Sequence, residues 1–203
     1  MWKIGLLGGS FNPAHMGHRH ISLQAMKTLG LDEVWWLVSP QNPLKSRTGM
    51  AAYPERRASA LAVMQRHPRL KICEIEQEQC LTYTLDTVIA LQQQYKDYQF
   101  IWLMGADNLA QLHRWYGWRR LAAIIPLAVY DRAPYSHAAL RGKAAIALSQ
   151  KRITLPQMRH RLRQKKLRTG WCYLLLPRHP ESSTRIRQSC HNPEKKQQNC
   201  NLK

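Results

Sequence analysis

The chain has 203 residues, 44% of them apolar, and thirty-one Lys and Arg stand against twelve Asp and Glu for a net charge of +19. That length and apolar share exclude wholesale disorder and are enough for one domain with a buried core that needs no disulfide staples. No apolar run approaches the roughly 20 residues of a membrane span, and the longest, 121–130, is interrupted by Pro126.

In chain order, residues 3–7 read as a short buried strand that runs into a glycine-rich turn. A helix follows from about Gly17, with Ile21, Ala25 and Leu29 at helical spacing and Gly30 as its stop. Residues 33–38 (EVWWLV) form a second strand. The Pro- and Asn-bearing loop 39–50 is long enough to invite a functional reading. A helix over 54–67 opens on Pro54, and a third strand covers 70–75. Residues 84–95 form an amphipathic helix with Leu85, Val88, Ile89, Gln92 and Tyr95 on one stripe. A fourth strand over 99–104 ends in Gly105-Ala106-Asp107. Short helical stretches follow near 107–112 and 116–123, then a fifth strand at 127–130. Residues 136–168 are basic and helical in pieces, with Pro156 as a break. A sixth strand covers 171–176, and 182–188 open a last helix. Strands alternating with helices predict an α/β fold, an open and mostly parallel Rossmann-like sheet with helices on both faces. In such sheets the ligand sits beyond the carboxyl ends of the strands, where the strand order switches. One domain over 1–188 is expected, followed by a polar, frayed tail over 189–203.

The charge is unevenly spread. Residues 1–131 hold fourteen basic and ten acidic side chains, and residues 132–203 hold seventeen and two. Such a field attracts anions, whether phosphorylated small molecules, nucleic acid or an acidic membrane, and equally suits a solvated basic face. The N-terminus has neither a signal-peptide apolar region nor a small-residue cleavage site, so no targeting is expected. Five cysteines with no CxxC form neither a disulfide framework nor a zinc site, and a reducing cytoplasm is the expected location.

The residues with most chemistry are 8–18, GGSFNPAHMGH. Two glycines after a strand let backbone approach a phosphate, and the amides at the following helix start favour an anion. His15 and His18 lie three apart at the helix entry, with Gly17 leaving room between them. Imidazole N–H groups so placed can stabilise charge on a phosphoryl group. The segment is neither a Walker A loop nor a dinucleotide GxGxxG. Near the other end, Ser182-Ser183-Thr184-Arg185-Ile186-Arg187 offers hydroxyls, helix-start amides and an arginine, a second anion clamp.

GGSFNPAHMGH resembles the (T/H)xGH signature of the nucleotidylyltransferase superfamily, and SSTRIR resembles its partner motif ISSTxIR. Trp102-Leu103-Met104-Gly105-Ala106-Asp107-Asn108-Leu109 with His113-Arg114-Trp115-Tyr116, the loop Ser39-Pro40-Gln41-Asn42-Pro43-Leu44-Lys45 and the segment Thr82-Tyr83-Thr84-Leu85-Asp86-Thr87 are similar to those of bacterial nicotinate-nucleotide adenylyltransferases. The resemblance covers residues 2 to about 188. It implies adenylyl transfer from ATP to nicotinate mononucleotide in NAD biosynthesis, with Mg²⁺ carried on the ATP phosphates and no metal held by protein ligands. It implies His15, His18 and Arg187 as catalytic residues, and an ATP site of Gly8, Gly9, Ser10, Phe11, His15, His18, Gly105, Asp107, Ser183, Thr184 and Arg187. The mononucleotide site would use Asn42, Lys45, Thr84, Asp107, Trp115 and Arg132, with Trp115 stacked on the pyridine ring, amides around Thr84 on the nicotinate carboxylate, and Asp107 near a ribose.

Plainer roles stand beside these. Trp115 and Trp118 suit a core, Asp107 and Thr84 suit helix N-caps, Ser182–Thr184 suits a cap, and Lys45 and Arg132 suit solvated charges. His67, His113 and His137 read as surface or partly buried, and the acids of residues 74–78 as a solvated strand end. Three positions depart from the family pattern: Asn12 for Asp, Leu44 for His, and Glu181 for the isoleucine of ISSTxIR, an acid beside a phosphate clamp. The alternatives are another adenylyltransferase of the superfamily, acting on nicotinamide mononucleotide or pantetheine phosphate, or a basic nucleic-acid-binding protein. The 105–116 and 82–87 segments favour a pyridine mononucleotide over pantetheine phosphate. The lack of aromatics between 136 and 170 counts against nucleic acid. No membrane association is expected, and the oligomeric state is open.

Overall fold

In the computed structural model, the described residues are 1–40, 49–131, 136–175, 181, 183, 184, 186 and 187. Among these residues, six parallel strands lie in the order β3-β2-β1-β4-β5-β6. They are β1 (Trp2–Gly9), β2 (Glu33–Val38), β3 (Leu70–Ile72), β4 (Tyr98–Gly105), β5 (Leu127–Tyr130) and β6 (Trp171–Leu174). From β1 the chain winds outward to β3, then returns to lay β4 on the other side of β1. The switch point therefore falls between β1 and β4, where ligands of open α/β sheets bind.

Side-chain alternation divides the core in two. Ile4, Leu6, Trp35, Leu37, Phe100, Trp102 and Met104 face one layer, covered by α4 (Thr84–Gln94), α5 (Ala106–Gln111) and α6 (Trp118–Ile124). Leu7, Val34, Trp36, Val38, Ile101 and Leu103 face the other, covered by α1 (Met16–Leu29), α2 (Tyr53–Met64) and α9 (Leu155–Arg163). The central strands are buried on both faces, which is why they read as unbroken apolar runs.

Several boundaries differ from the sequence expectation. β1 continues through Gly8 and Gly9. The 54–67 helix ends at Met64, where Gln65 turns left-handed (φ 52°). The third strand has only three residues, because the chain turns into the short helix α3 (Ile75–Glu78). The buried stripe of α4 is Leu85, Thr87, Val88 and Leu91, while Gln92 is exposed and its side-chain amide donates to the Ile124 carbonyl (2.8 Å). Pro156 is no break: it lies in the first turn of α9, capped by Thr154, where a missing N–H removes no helix bond. The basic region also forms α7 (Ser136–Leu140) and α8 (Lys143–Ala147). Ala139, Ala144, Ala145 and Leu148 bury it in the layer that also holds α5, while α9 lies against α1 and β6. The last helix is seen at 183–184 and 186–187, and the tail 189–203 lies outside the described residues. Among the described residues, no helix is long and apolar enough to cross a membrane.

Candidate active site

The GGSFNPAHMGH segment forms the end of β1, a turn, and the start of α1. Its two glycines differ in what surrounds them. Gly8 lies opposite the Trp102 ring, and a Cβ there would sit 2.6 Å from that ring. Its missing side chain thus leaves room for an indole. Gly9 would tolerate a Cβ at ordinary contact distance from Phe11. The left-handed residue of the turn is Phe11 (φ 46°), a conformation costing a side-chain-bearing residue about 1 kcal/mol. Packing holds it there: the Phe11 ring is buried, stacks on Trp36 (4.9 Å between centroids) and leans on His18 (4.6 Å).

The two histidines do come together, with ring centroids 3.8 Å apart. His15 is the N-cap residue of α1 and is buried, and His18 is half-buried. The His15 N–H donates to His18 Nδ1 (3.2 Å), and the His18 N–H donates to the His15 carbonyl (2.9 Å). An acceptor at Nδ1 places the proton of the neutral His18 ring on Nε2, which makes that atom the donor. Gly17 does leave the expected room, because a Cβ there would lie 2.8 Å from His15 Nδ1.

The second motif reaches this turn across the whole chain. The Ser183 hydroxyl donates to the Pro13 carbonyl (3.0 Å), and the Arg187 guanidinium donates to the Asn12 carbonyl. The Glu181 carboxylate accepts the Met16 N–H in the first turn of α1 (2.8 Å). An acid in place of isoleucine is thus accommodated as an anion on a helix N-terminus. Thr184 is exposed beside these contacts. The Ser183 hydroxyl and Arg187 therefore bind the turn in this structure rather than merely capping their own helix.

Sequence reasoning missed Arg56. It is buried on α2, and its guanidinium donates to the carbonyls of Ser10 (2.7 Å), Ser39 (2.7 Å), Pro40 (3.0 Å) and Ala51 (3.0 Å). Four carbonyls on one cation lock the turn after β1 to the loop after β2. Burial lowers its pKa below the usual arginine value. In sequence Arg56 stands beside Arg57, which pairs with Glu74 at the surface (2.7 Å), and no local signal separates the two.

Across the switch point, Gly105 ends β4 and is buried. It is also the N-cap residue of α5, so Asp107 is the second residue of that helix, half-buried, and is not the cap. Thr84 likewise follows the N-cap residue Tyr83 of α4. Trp115 is half-buried and meets the Trp102 ring edge-on (6.2 Å, 88°). The Tyr83 and Tyr116 rings lie 4.5 Å apart, and a Cβ on Gly117 would strike Leu85 at 2.4 Å. Those contacts join the Thr84 and Trp115 segments, and Trp102 ties Trp115 back to Gly8. Asn42, Lys45 and Arg132 lie outside the described residues.

The acids of residues 74–78 are not a solvated strand end. They lie on and before α3, Glu74 pairs with Arg57, and Glu76 is buried with an oxygen 3.0 Å from the Thr87 hydroxyl. His67 and His113 are half-buried and His137 is exposed, as expected. Burial pushes the thiols of Cys73 and Cys172 up to about 11 and about 12, so neither is a thiolate near neutrality. Among the described residues, no group of three or more His, Cys, Asp or Glu could hold a metal ion.

Known proteins resemble this chain in sequence and in fold. Residues 6–189 match the family described as Cytidylyltransferase-like. A Parvibaculum lavamentivorans protein named "Probable nicotinate-nucleotide adenylyltransferase" is 45% identical over 186 residues, which are 92% of this chain and 91% of that one. A Bradyrhizobium protein of the same name is 46% identical over 91% of this chain and 95% of its own. The fold is shared with the Plasmodium falciparum nicotinic acid mononucleotide adenylyltransferase complexed with NaAD (TM-score 0.67, 15% identity, 93% of this chain and 83% of that one). With a six-stranded parallel sheet, paired histidines at its switch point and these relatives, the chain belongs to the nicotinate-nucleotide adenylyltransferase family, within the cytidylyltransferase-like fold.

Proposed function

We propose that the protein transfers the adenylyl group of ATP to nicotinate mononucleotide, giving nicotinate adenine dinucleotide and pyrophosphate in NAD biosynthesis. The observation that carries the reading is the meeting of His15 and His18 with the 181–187 segment at the carboxyl end of β1. A 5′-phosphate oxygen of the acceptor attacks the α-phosphorus in line. The bond from that phosphorus to the bridging oxygen breaks, and pyrophosphate leaves with its electron pair. No protein nucleophile is needed, so positioning and charge stabilisation do the work. His18 directs Nε2–H at the phosphoryl oxygens, His15 adds a second imidazole, and the turn amides of Ser10 and Phe11 face the triphosphate. Ser183, Thr184 and Arg187 close the other side, with Gly105 and Asp107 beside the ribose.

The acceptor lies on the α4–α6 side. Trp115 stacks on the pyridine ring and the first-turn amides around Thr84 receive the nicotinate carboxylate, with Asn42, Lys45 and Arg132 lining the phosphate and ribose. The imidazoles, hydroxyls and guanidinium of the clamp suit phosphate oxygens that bring their own Mg²⁺, since Mg²⁺ takes few protein ligands. Bound there, Mg²⁺ would neutralise charge on the phosphates. The protein acts in the cytoplasm. The test is pyrophosphate release with ATP and Mg²⁺, using nicotinate and nicotinamide mononucleotides side by side. Turnover with the nicotinate form, lost in His18→Ala, is expected. Turnover with only the nicotinamide form overturns the acceptor assignment, and no turnover in folded protein overturns the reaction.

A further inference from the structure

One buried carboxyl has no place in that chemistry. Glu76, on α3, is 7% exposed. Its Oε1 lies 3.0 Å from Thr87 Oγ1, and Thr87 Oγ1 lies 3.2 Å from the Tyr83 carbonyl. Its own carbonyl accepts the Leu81 N–H (2.9 Å). Glu76 thus grips both ends of the segment 81–87, which holds Tyr83, Thr84 and the first turn of α4. Thr87 stands one helical turn after Thr84, about 4.5 Å along the axis. The Tyr83 ring at Tyr116 and Leu85 at Gly117 carry this segment onto the strand-end loop that bears Trp115.

We propose that Glu76 is a positioning and specificity residue for the acceptor: held against Thr87 behind the first turn of α4, its carboxyl governs how well that turn receives a carboxylate. The proposal rests on the placement of the nicotinate carboxylate at Thr84. The Thr87 hydroxyl has one proton to give. When Glu76 is neutral, its O–H donates to Thr87 Oγ1 and the Thr87 hydroxyl donates to the Tyr83 carbonyl, so the turn is held by an uncharged chain. When Glu76 is ionised, it accepts the Thr87 hydroxyl's hydrogen bond in place of the Tyr83 carbonyl and sets a negative charge behind the amides meant for the nicotinate carboxylate. That charge repels an anionic ring substituent and leaves an uncharged carboxamide nearly unaffected.

The surroundings do not neutralise it. Glu78 shares its helix, Glu74 is that helix's N-cap residue, and Cys73 stands just ahead of it. Tyr53 and Arg57 lie on α2, Glu33 on β2 and Asp86 on α4. Arg57 is held by Glu74 (2.7 Å), and Lys71 of β3 is held by Glu33 (2.6 Å). Burial without a cation pushes the Glu76 carboxyl up to about 7, against the pull of the Thr87 hydrogen bond.

The test is the KM for nicotinate mononucleotide between pH 6 and pH 8.5, in wild type and in Glu76→Gln. Glutamine keeps the shape and the neutral state, and the ligand's own titration is common to both proteins. The wild-type to variant KM ratio should be near one at pH 6 and rise about fivefold to tenfold by pH 8.5, with kcat alike in both. A constant ratio overturns the proposal. If Glu76→Gln does not fold, wild type alone decides. Its KM for nicotinate mononucleotide should then rise with pH relative to the inhibition constant of nicotinamide mononucleotide, and a constant relation overturns the proposal. Normal turnover of the nicotinate form with a flat profile removes the role of Glu76 only, whereas absent turnover at every pH removes the reaction itself.

Discussion

The two faces of the sheet reach the switch point by different means. On the α1 face, hydrogen bonds build the site: His15 to His18, Ser183 to Pro13, Glu181 to Met16, and Arg56 to four carbonyls. On the α4–α6 face, packing builds it: Trp102 fills the space over Gly8, Trp115 abuts Trp102, and Tyr83 lies on Tyr116. Hydrogen bonds fix direction, which a phosphoryl transition state demands. Packed rings fix a slot, which a flat pyridine needs. Substitutions on the first face should therefore alter ATP handling, and those on the second should alter acceptor affinity and stability together.

The largest expected effect is at the histidine pair. On the proposed assignment, His18→Ala removes one donor to the transition state and should lower kcat by about 10²–10³, with only the small fall in Tm that losing its contacts with Phe11 and His15 entails. A large fall in Tm instead would make His18 a packing residue. Next is Arg56→Met, which strands four carbonyls, the buried one of Ser10 among them, and should destabilise the fold by about 3 kcal/mol, read by urea unfolding. It should also raise the KM for ATP, because the Ser10 carbonyl loses its tether. Gly8→Ala drives a methyl into the Trp102 ring and should cost about 1–3 kcal/mol. It sharpens the contrast most, because Gly8 lies in the phosphate motif by sequence yet belongs to the acceptor side by packing. The KM for nicotinate mononucleotide should rise more than that for ATP, and the reverse result would return Gly8 to the phosphate side. The smallest effect is Ser183→Ala, the loss of one hydrogen bond of about 1 kcal/mol. It should raise the KM for ATP a few-fold and leave the acceptor KM alone.

Legibility followed the same division. The α/β alternation, six strands and the switch point could be read from apolar runs and glycines, because buried parallel strands have no polar face to confuse the pattern. The histidine motif was legible because one turn contains it. Arg56 and Glu76 were not legible: each is a charged residue in a charged run, and only the fold buries one member and leaves its neighbours in water. The packing role of Gly8 was not legible for a related reason. Its steric partner, Trp102, lies 94 residues away on the adjacent strand, beyond any local pattern. The end of the third strand was overrun because Cys73, Glu74 and Ile75 alternate like a strand while tertiary packing turns them into α3.

The central claim is that two motifs from opposite ends of the chain close on one triphosphate. A crystal structure of the protein with a non-hydrolysable ATP analogue and Mg²⁺ tests it most directly. The phosphate oxygens should lie within hydrogen-bond distance of His18 Nε2 on one side and of the 183–187 segment on the other. A triphosphate that touches only one of the two, or that binds away from the β1–β4 switch point, would contradict the account.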